Sequence, residues 1–436
     1  MGKRTNSDKK IRFAVLMLIL SLTGAGCGTD RQTRTQGSEN GTESMQGNQS
    51  AAKTGALHYD YFFQEDGISL SSGERFLYSD WEPVEFDYIC MDPACSHLTA
   101  SCSARTFSND GEKADDFSLI YGDCLIIVHT AADFHTETIN NEDTVIADWY
   151  YTYTMDVYEA DLDGSNRRKR ASFPGSIETI VVPHAVVLAD GKLYFGGPTE
   201  TRSRSENDVQ GRNLEVWEWT SYAVYCLDLN DDTLETYAVT EDAEGTAYMF
   251  ELYEYDGMIY AIISNFQDDH AVWYRIDPAK EECEEILRFD SDVARFCGAI
   301  GDTVYYYYEN TGETLYARDI GAEAEEREIR TVNKEGTHVC AFILDGQILF
   351  QTDGVYEGEE HMTEYAVLDG DGNLLDTIRY DDYVSFFDVV GDKLIYFRMF
   401  SGCEEWWVDK EDLADLIEKG TEIGPFFGVK QDTLMD

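Results

Sequence analysis

The chain is 436 residues long and carries 85 acidic against 33 basic residues, a formal net charge of -52. Such a surface repels phosphate backbones, which excludes nucleic acid as a partner. The 28 Tyr, 22 Phe and 7 Trp, with only 7 Pro, favour a β-rich core, and this length is compatible with one long repeat domain.

The N-terminus has the pattern of an export signal. Five basic residues between Lys3 and Arg12 precede an apolar run over 13–22, and the small residues 24–26 lead to Cys27. The run is short for a membrane-spanning helix, so residues 1–27 are interpreted as a processed signal. The Cys after small residues resembles the lipobox of bacterial lipoproteins, in which that thiol is acylated, although Gly24 stands where the family usually has Leu. The alternative is a secreted or anchored protein in which Cys27 is incidental.

Residues 28–55 are rich in Gly, Ser, Thr, Asn and Gln and lack apolar periodicity. This composition is typical of a flexible tether. The sequence therefore predicts a lipid-anchored, extracytoplasmic protein in which residues 56–436 form the folded domain.

A repeated strand, Gly/Asp turn and strand pattern runs through that domain. Six copies are FSLIYGDCLII, HAVVLADGKLYF, FELYEYDGMIYA, RFCGAIGDTVYY, VCAFILDGQILF and FFDVVGDKLIYF. Their turns begin at Gly122, Asp190, Asp256, Gly301, Asp345 and Gly391, so the last three intervals are 45, 44 and 46 residues and the first two are 68 and 66. An interval of about 45 residues is typical of a four-stranded propeller blade. With a further unit, GERFLYSDWEPVEFDYIC, the prediction is a single all-β propeller of about seven blades, with six or eight still open.

Units such as YEADLDGSN resemble the repeats of TolB-type and low-density-lipoprotein-receptor-like propellers, which occur in uncharacterised lipoproteins of gut Firmicutes (the DUF5050-like group). The resemblance extends from about Ala56 over most of the chain. It implies an architecture and not an activity, because one fold can carry many functions.

The segment YICMDPACSHLTASCSA contains Cys90, Cys95, His97 and Cys102 with the spacing C-x4-C-x-H-x4-C. Three thiols and one imidazole are the donors of a closed tetrahedral zinc site, although the spacing matches neither the usual finger nor the usual ribbon. A disulfide between two of the three cysteines, as expected outside the cytoplasm, is the alternative, and free thiols are the third. The resembling lipoproteins carry a similar Cys-rich stretch, which implies no particular role.

The two long intervals indicate insertions over about 129–150 and 198–219, after the second strand of their blades. Such insertions are the first choice for ligand contacts. They end in aromatic clusters that include Trp149, Tyr151, Trp217 and Trp219. These side chains could stack on sugar rings or anchor a protein, or they could simply pack on a neighbouring sheet.

A helix is predicted at Lys410 to Lys419, capped by Asp409 and terminated by Gly420. No catalytic motif such as G-x-S-x-G or H-E-x-x-H is present. The leading hypothesis is a monomeric propeller that binds a glycan, peptide or envelope protein without catalysis. The alternatives are an extracellular carbohydrate-active enzyme (glycosidase or lyase) on the same scaffold and a structural or sensory subunit of an envelope complex.

Overall fold

The computed structural model describes residues 54–58, 61–72, 75–82, 84–97, 101–107, 116–141, 144–175, 186–207, 213–240, 248–265, 270–289, 294–308, 313–321, 325–332, 340–357, 360–398 and 404–425. They belong to one compact unit, Gln49–Asp436. The predicted signal, Cys27 and most of the tether lie outside the described residues. None of the described helices is long and apolar enough to span a membrane.

The described chain is mostly antiparallel β-sheet, as predicted. After β1 (Thr54–His58), its strands fall into seven sets of four that follow one another along the chain. The first three sets are β2 (Tyr61–Gln64), β3 (Gly67–Ser72), β4 (Arg75–Ser79) and β5 (Asp87–Tyr88); β6 (Asp116–Tyr121), β7 (Cys124–Asn141), β8 (Thr144–Asp161) and β9 (Arg168–Pro174); and β10 (Val186–Ala189), β11 (Lys192–Asn207), β12 (Asn213–Asp228) and β13 (Leu234–Thr240).

The other four sets are separate four-stranded sheets. They are β14 (Tyr248–Tyr255), β15 (Met258–Asn265), β16 (His270–Asp277) and β17 (Glu282–Phe289); β18 (Ala294–Ile300), β19 (Thr303–Tyr308), β20 (Thr314–Asp319) and β21 (Arg327–Thr331); β22 (Ala341–Leu344), β23 (Gln347–Glu357), β24 (Glu360–Leu368) and β25 (Leu374–Tyr380); and β26 (Val384–Val390), β27 (Lys393–Arg398), β28 (Glu404–Asp409) and β29 (Thr421–Pro425).

The Gly/Asp turns join the first two strands of these sets. Asp256 and Gly257 both have positive φ, 52° and 76°, whereas at Gly122 the glycine supplies the positive φ of 61°. Positive φ at these turn positions matches the twist of a tight hairpin. All six predicted hairpins are therefore confirmed.

A seventh hairpin, β2–β3, was not predicted from the sequence. Its turn residues are Glu65 and Asp66, because Gln64 pairs with Gly67, so it lacks the Gly/Asp pair of the other six turns. The predicted unit beginning at Gly73 contributes only β4 and β5. The first strand begins at Thr54, two residues before the predicted start of the domain. It pairs with β2 on one edge and with β10 on the other.

The two insertions are strand extensions rather than loops, which corrects the prediction for 129–150 and 198–219. Strands β7 and β8 each have 18 residues, and β11 and β12 each have 16. Strands β8 and β11 extend past the ends of their neighbours β9 and β10. In that extended part β8 pairs with β11, from Asp148 to Thr152 of β8. This pairing satisfies exposed backbone groups and joins the second set to the third. Strand β1 joins the first set to the third by pairing with β2 and β10, so the three sets form one 13-stranded network.

Aromatic and aliphatic side chains pack each set on the next. Phe62 stacks on Phe117 between the first and second sets at a ring distance of 5.4 Å, and Trp273 meets Tyr306 between the fourth and fifth at 5.5 Å. Related apolar clusters join the second to the third set, the third to the fourth, the fifth to the sixth and the sixth to the seventh. Trp81 of the first set also packs edge-on against Trp407 of the seventh, at 5.2 Å. The packing thus returns from the last set to the first.

The first strands of several sets meet around a narrow cavity of about 40 Å³. It is lined by residues of β1, β10, β14, β22 and β26, including Glu254 and Asp388. Burial raises the pKa of Asp388 to about 7, and the nearby Glu254 carboxylate adds to this effect, although the backbone N–H of Val389 lowers it. The Asp388 carboxyl group therefore has little contact with solvent.

The predicted helix is present in two parts, a 3₁₀ segment at Lys410–Asp415 and a short α-helix, α1, at Leu416–Lys419. Asp409 does not cap it, because its carboxylate accepts a hydrogen bond from Lys393 instead. Gly420 ends it as predicted, with its N–H donating to the carbonyl of Leu416 at 2.9 Å.

Candidate metal centre and aromatic strands

The cysteine-rich segment is held by β4 of the first set. The N–H of Phe76 donates to the carbonyl of Ala104 at 2.8 Å, and the N–H of Ile89 donates to the carbonyl of Phe76 at 3.4 Å. Arg75 donates through Nε to the carbonyl of His97. Two parts of the segment that are distant in sequence are thereby fixed on one short strand.

This arrangement brings all four predicted donors together. The Sγ atoms of Cys90, Cys95 and Cys102 and a ring nitrogen of His97 lie within 4.8 Å of one another. The His97 Nδ1 atom is 3.6 Å from Cys102 Sγ. Cys90 and Cys102 are buried, whereas Cys95 and His97 are half-buried. The cluster is compatible with a bound metal ion.

Backbone N–H groups stabilise the charged form of the sulfurs. The N–H of His97 donates to Cys95 Sγ at 3.4 Å. The backbone N–H groups of Asp92 and Ala104 act to lower the pKa of Cys90 and of Cys102. Such donors have the largest effect when the sulfur is charged.

The two buried thiols have opposite pKa shifts. Burial raises the pKa of Cys90, but hydrogen bonds from Ser103 and from the Asp92 N–H outweigh it, so the pKa lies below its ordinary value. Burial raises the pKa of Cys102 to about 11, although the Ala104 N–H lowers it. Cys90 is therefore the thiol that loses its proton most easily in this pair.

His97 is oriented by its surroundings. Its ring stacks on that of Tyr88 at a centroid distance of 4.5 Å, and its φ of 56° is uncommon for a residue with a side chain. The Arg75 bond to its carbonyl holds this backbone conformation. Packing and hydrogen bonding therefore fix the imidazole beside the sulfurs.

The second set contacts the same segment through the β8–β9 turn. Arg167 donates through Nη2 to the carbonyls of Ser103, at 2.6 Å, and Arg105, and its guanidinium lies 4.8 Å from the centre of the Phe107 ring. A Cβ atom added to Gly164, whose φ is +77°, would lie 2.3 Å from the Ser103 carbonyl oxygen. Glycine at this position is required by both conformation and space.

Replacing Gly164 with Ala is expected to lower the free energy of unfolding by about 2 kcal/mol, because it combines a left-handed conformation with a backbone clash. Urea unfolding followed by circular dichroism measures it. Gly122→Ala is the matched control, since Gly122 has a φ of +61° but nothing within 4 Å of its added Cβ. Equal losses for both variants would show that the contact with Ser103 is unimportant.

The four predicted aromatic positions meet in the network formed by the extended hairpins. Ser203 of β11 pairs with Trp149 of β8 on one side and with Trp217 of β12 on the other. Two residues along, Thr201 likewise pairs with Tyr151 and Trp219. Directly paired residues of antiparallel strands share a face, and so do residues two apart. The register therefore places all four positions on one face, here called the aromatic face.

The side chains of these four residues lie outside the described part of the structure. Phe134 of β7, which pairs with Tyr151, belongs to the same face and is 56% exposed. The opposite face carries a different composition, because Tyr150 pairs with Arg202, and Arg202 pairs with Glu218. Along β11 and β12 the aromatic and hydroxyl residues of one face thus alternate with charged residues of the other, whereas β8 has Tyr150 on the opposite face.

No family model and no curated protein matches the chain. Similar solved structures include a prolyl endopeptidase (TM-score 0.42, 10% identity, 84% of this chain and 48% of that chain) and the dipeptidyl peptidase 4 of Porphyromonas gingivalis (TM-score 0.40, 10% identity, 86% and 60%). Prolyl oligopeptidase B of Galerina marginata is similar to the same degree (TM-score 0.44, 9% identity, 87% and 51%). The chain spans less than two thirds of each of these proteins. Likeness at this level leaves the function open.

Proposed function

We propose that this chain is a single seven-bladed β-propeller, held outside the cytoplasmic membrane by a lipid on Cys27, whose aromatic face binds a neutral glycan. The propeller is supported by seven successive sets of four antiparallel strands and by packing that returns from the seventh set to the first. In this arrangement β1 lies among the first strands of the third and seventh sets. Zinc at the cysteine cluster is a separate proposal, because it concerns how the scaffold is held together and not what it binds.

The register of β8, β11 and β12 carries the binding proposal. Positions 149 and 217 are two strands apart and positions 149 and 151 are alternate residues, so the four backbone positions span roughly 10 Å by 7 Å. Positions 203 and 201 lie between them in the register, and they are Ser and Thr, which have hydroxyl groups. Aromatic rings that alternate with hydroxyls suit the apolar faces and the polar edges of sugar rings.

Charge distinguishes among glycans. A net charge of -52 repels carboxylated, sulfated and phosphorylated polymers, so a neutral glycan is favoured. The chain shows none of the usual catalytic motifs, which favours binding without turnover, as in the leading hypothesis from sequence.

The test is isothermal titration of the mature chain with neutral cello-, xylo- and manno-oligosaccharides. We expect saturable binding to at least one series, and an affinity at least about tenfold lower for Trp149→Ala or Trp217→Ala, since one stacked ring contributes about 1–2 kcal/mol. Tyr150→Ala is the matched control, because position 150 lies on the opposite face by register.

Three results would count against the proposal. The absence of binding to every series would exclude neutral glycans, and equal weakening by Tyr150→Ala would exclude the aromatic face. Release of shorter sugars in the same mixtures would favour the carbohydrate-active enzyme instead. Co-purification with one fixed membrane partner, in the absence of glycan binding, would favour a subunit of an envelope complex.

A further inference from the structure

We infer that Cys90, Cys95, His97 and Cys102 form a closed, structural Zn²⁺ site that fastens residues 84–97 and 101–107 to the first strand set. The sequence left a metal, a disulfide and free thiols open, and the geometry of the cluster favours the metal. The site is independent of the proposed glycan binding.

The distances fit a tetrahedral ion. With Zn–S bonds of about 2.3 Å and a Zn–N bond of about 2.0 Å, neighbouring ligands are separated by about 3.6–3.8 Å. The observed distance from His97 Nδ1 to Cys102 Sγ is 3.6 Å, and all four donors lie within 4.8 Å of one another. Small shifts would seat an ion among them.

The convergence of all four donors favours a metal over a disulfide. A disulfide would use two of the three sulfurs and would leave the third sulfur and the imidazole without a role. In the structure all four donors lie within 4.8 Å of one another, and the N–H of His97 donates to Cys95 Sγ at 3.4 Å. Three sulfurs and one imidazole gathered at one point are what a metal site requires.

The ligand set identifies the ion and its role. Three thiolates and one imidazole are preferred by Zn²⁺, and four protein ligands leave no open position for catalysis. On binding, the three thiols release three protons to solvent, so the ion and its ligands carry one negative charge. Arg167 is within electrostatic reach of Cys102, which offsets that charge.

The cluster also lies where the fold needs a cross-link. Between β4 and β6 the described chain contains only the two-residue β5 and one isolated bridge, from Arg75 to Arg105. Little regular structure secures this segment, although both the first and the second strand sets pack on it. A metal ion would supply the missing constraint.

The test uses the mature chain purified without added metal or reductant. Elemental analysis is expected to find one zinc per chain, and X-ray absorption is expected to show about three sulfurs near 2.3 Å and one nitrogen near 2.0 Å. Cys95→Ser, at a half-buried position, should bind zinc at least about 100-fold more weakly in chelator competition. Cys283→Ser, at an exposed position on β17, is the matched control and should keep the wild-type affinity.

Other outcomes overturn the inference. Metal-free protein in which two of the three thiols resist alkylation until reductant is added would establish a disulfide. Metal-free protein in which all three react at once would establish free thiols. Zinc that survives Cys95→Ser with unchanged affinity would lie elsewhere. If that variant fails to fold, the metal content and absorption spectrum of the wild-type protein still decide the matter.

Discussion

Trp273→Ala is expected to lower the free energy of unfolding by about 4 kcal/mol, because it removes a fully buried indole packed between the fourth and fifth strand sets. Trp273 is fully buried and packs against Phe289, Phe296 and Tyr306 at ring distances of 4.9, 5.3 and 5.5 Å. The latter two rings meet it edge-on, at 88°. Thermal unfolding followed by circular dichroism should show Tm lower by roughly 5 °C.

Trp273→Phe is the matched control for this variant. It keeps an aromatic ring in the cluster and removes the indole N–H, which has no hydrogen-bond acceptor among the described residues. The loss should therefore stay below about 1.5 kcal/mol. A loss under 1 kcal/mol for Trp273→Ala itself would mean that the packing between these two sets contributes little to stability.

Asp388→Asn is expected to stabilise the protein above neutral pH. Burial raises the pKa of this carboxyl to about 7, whereas in the unfolded chain it returns to about 4. Between these values the folded state keeps a proton that the unfolded state has lost, so stability falls as pH rises and levels off above pH 7. Between pH 4 and pH 8 the wild-type protein should lose up to about 4 kcal/mol relative to the variant.

The measurement is the free energy of unfolding of both proteins in urea at several pH values. The difference between them isolates position 388, because the other titrating groups are common to both. Asp123→Asn, in the exposed turn after Gly122, is the control and should run parallel to the wild-type protein. A constant difference between Asp388→Asn and wild type from pH 4 to pH 8 would show that Asp388 ionises normally.

Much of the fold was predictable because hairpin turns have local sequence requirements. The residues of the pairs Asp256–Gly257 and Asp345–Gly346 have positive φ, a backbone conformation that Gly and Asp adopt more readily than most residues. The spacing of such pairs predicted the later strand sets. The first hairpin was missed because its second strand, β3, reads Gly-Ile-Ser-Leu-Ser-Ser, which is less apolar than the second strands of the other six hairpins. Its turn residues, Glu65 and Asp66, also lack the glycine that marks the other turns.

The extended hairpins are a part of the fold that local sequence patterns did not predict. Residues 129–150 and 198–219 carry few of the apolar alternations that predict strands, and a loop was the natural interpretation. Their strand structure depends on pairing between the edges of β8 and β11, whose paired residues are 48 to 56 positions apart in sequence. Edge pairing of this kind is decided by neighbouring sheets.

The sequence by itself determined which residue types are available: the repeated hairpins, the three cysteines and one histidine of the cluster, and the aromatic pairs at positions 149, 151, 217 and 219. Residue type and near-neighbour spacing suffice for these, because turns and strands obey local rules. Only the tertiary structure decided that the four donors converge on β4 and that both aromatic pairs share one face. Convergence depends on backbone hydrogen bonds between segments that are far apart in the chain, and local sequence does not specify those partners.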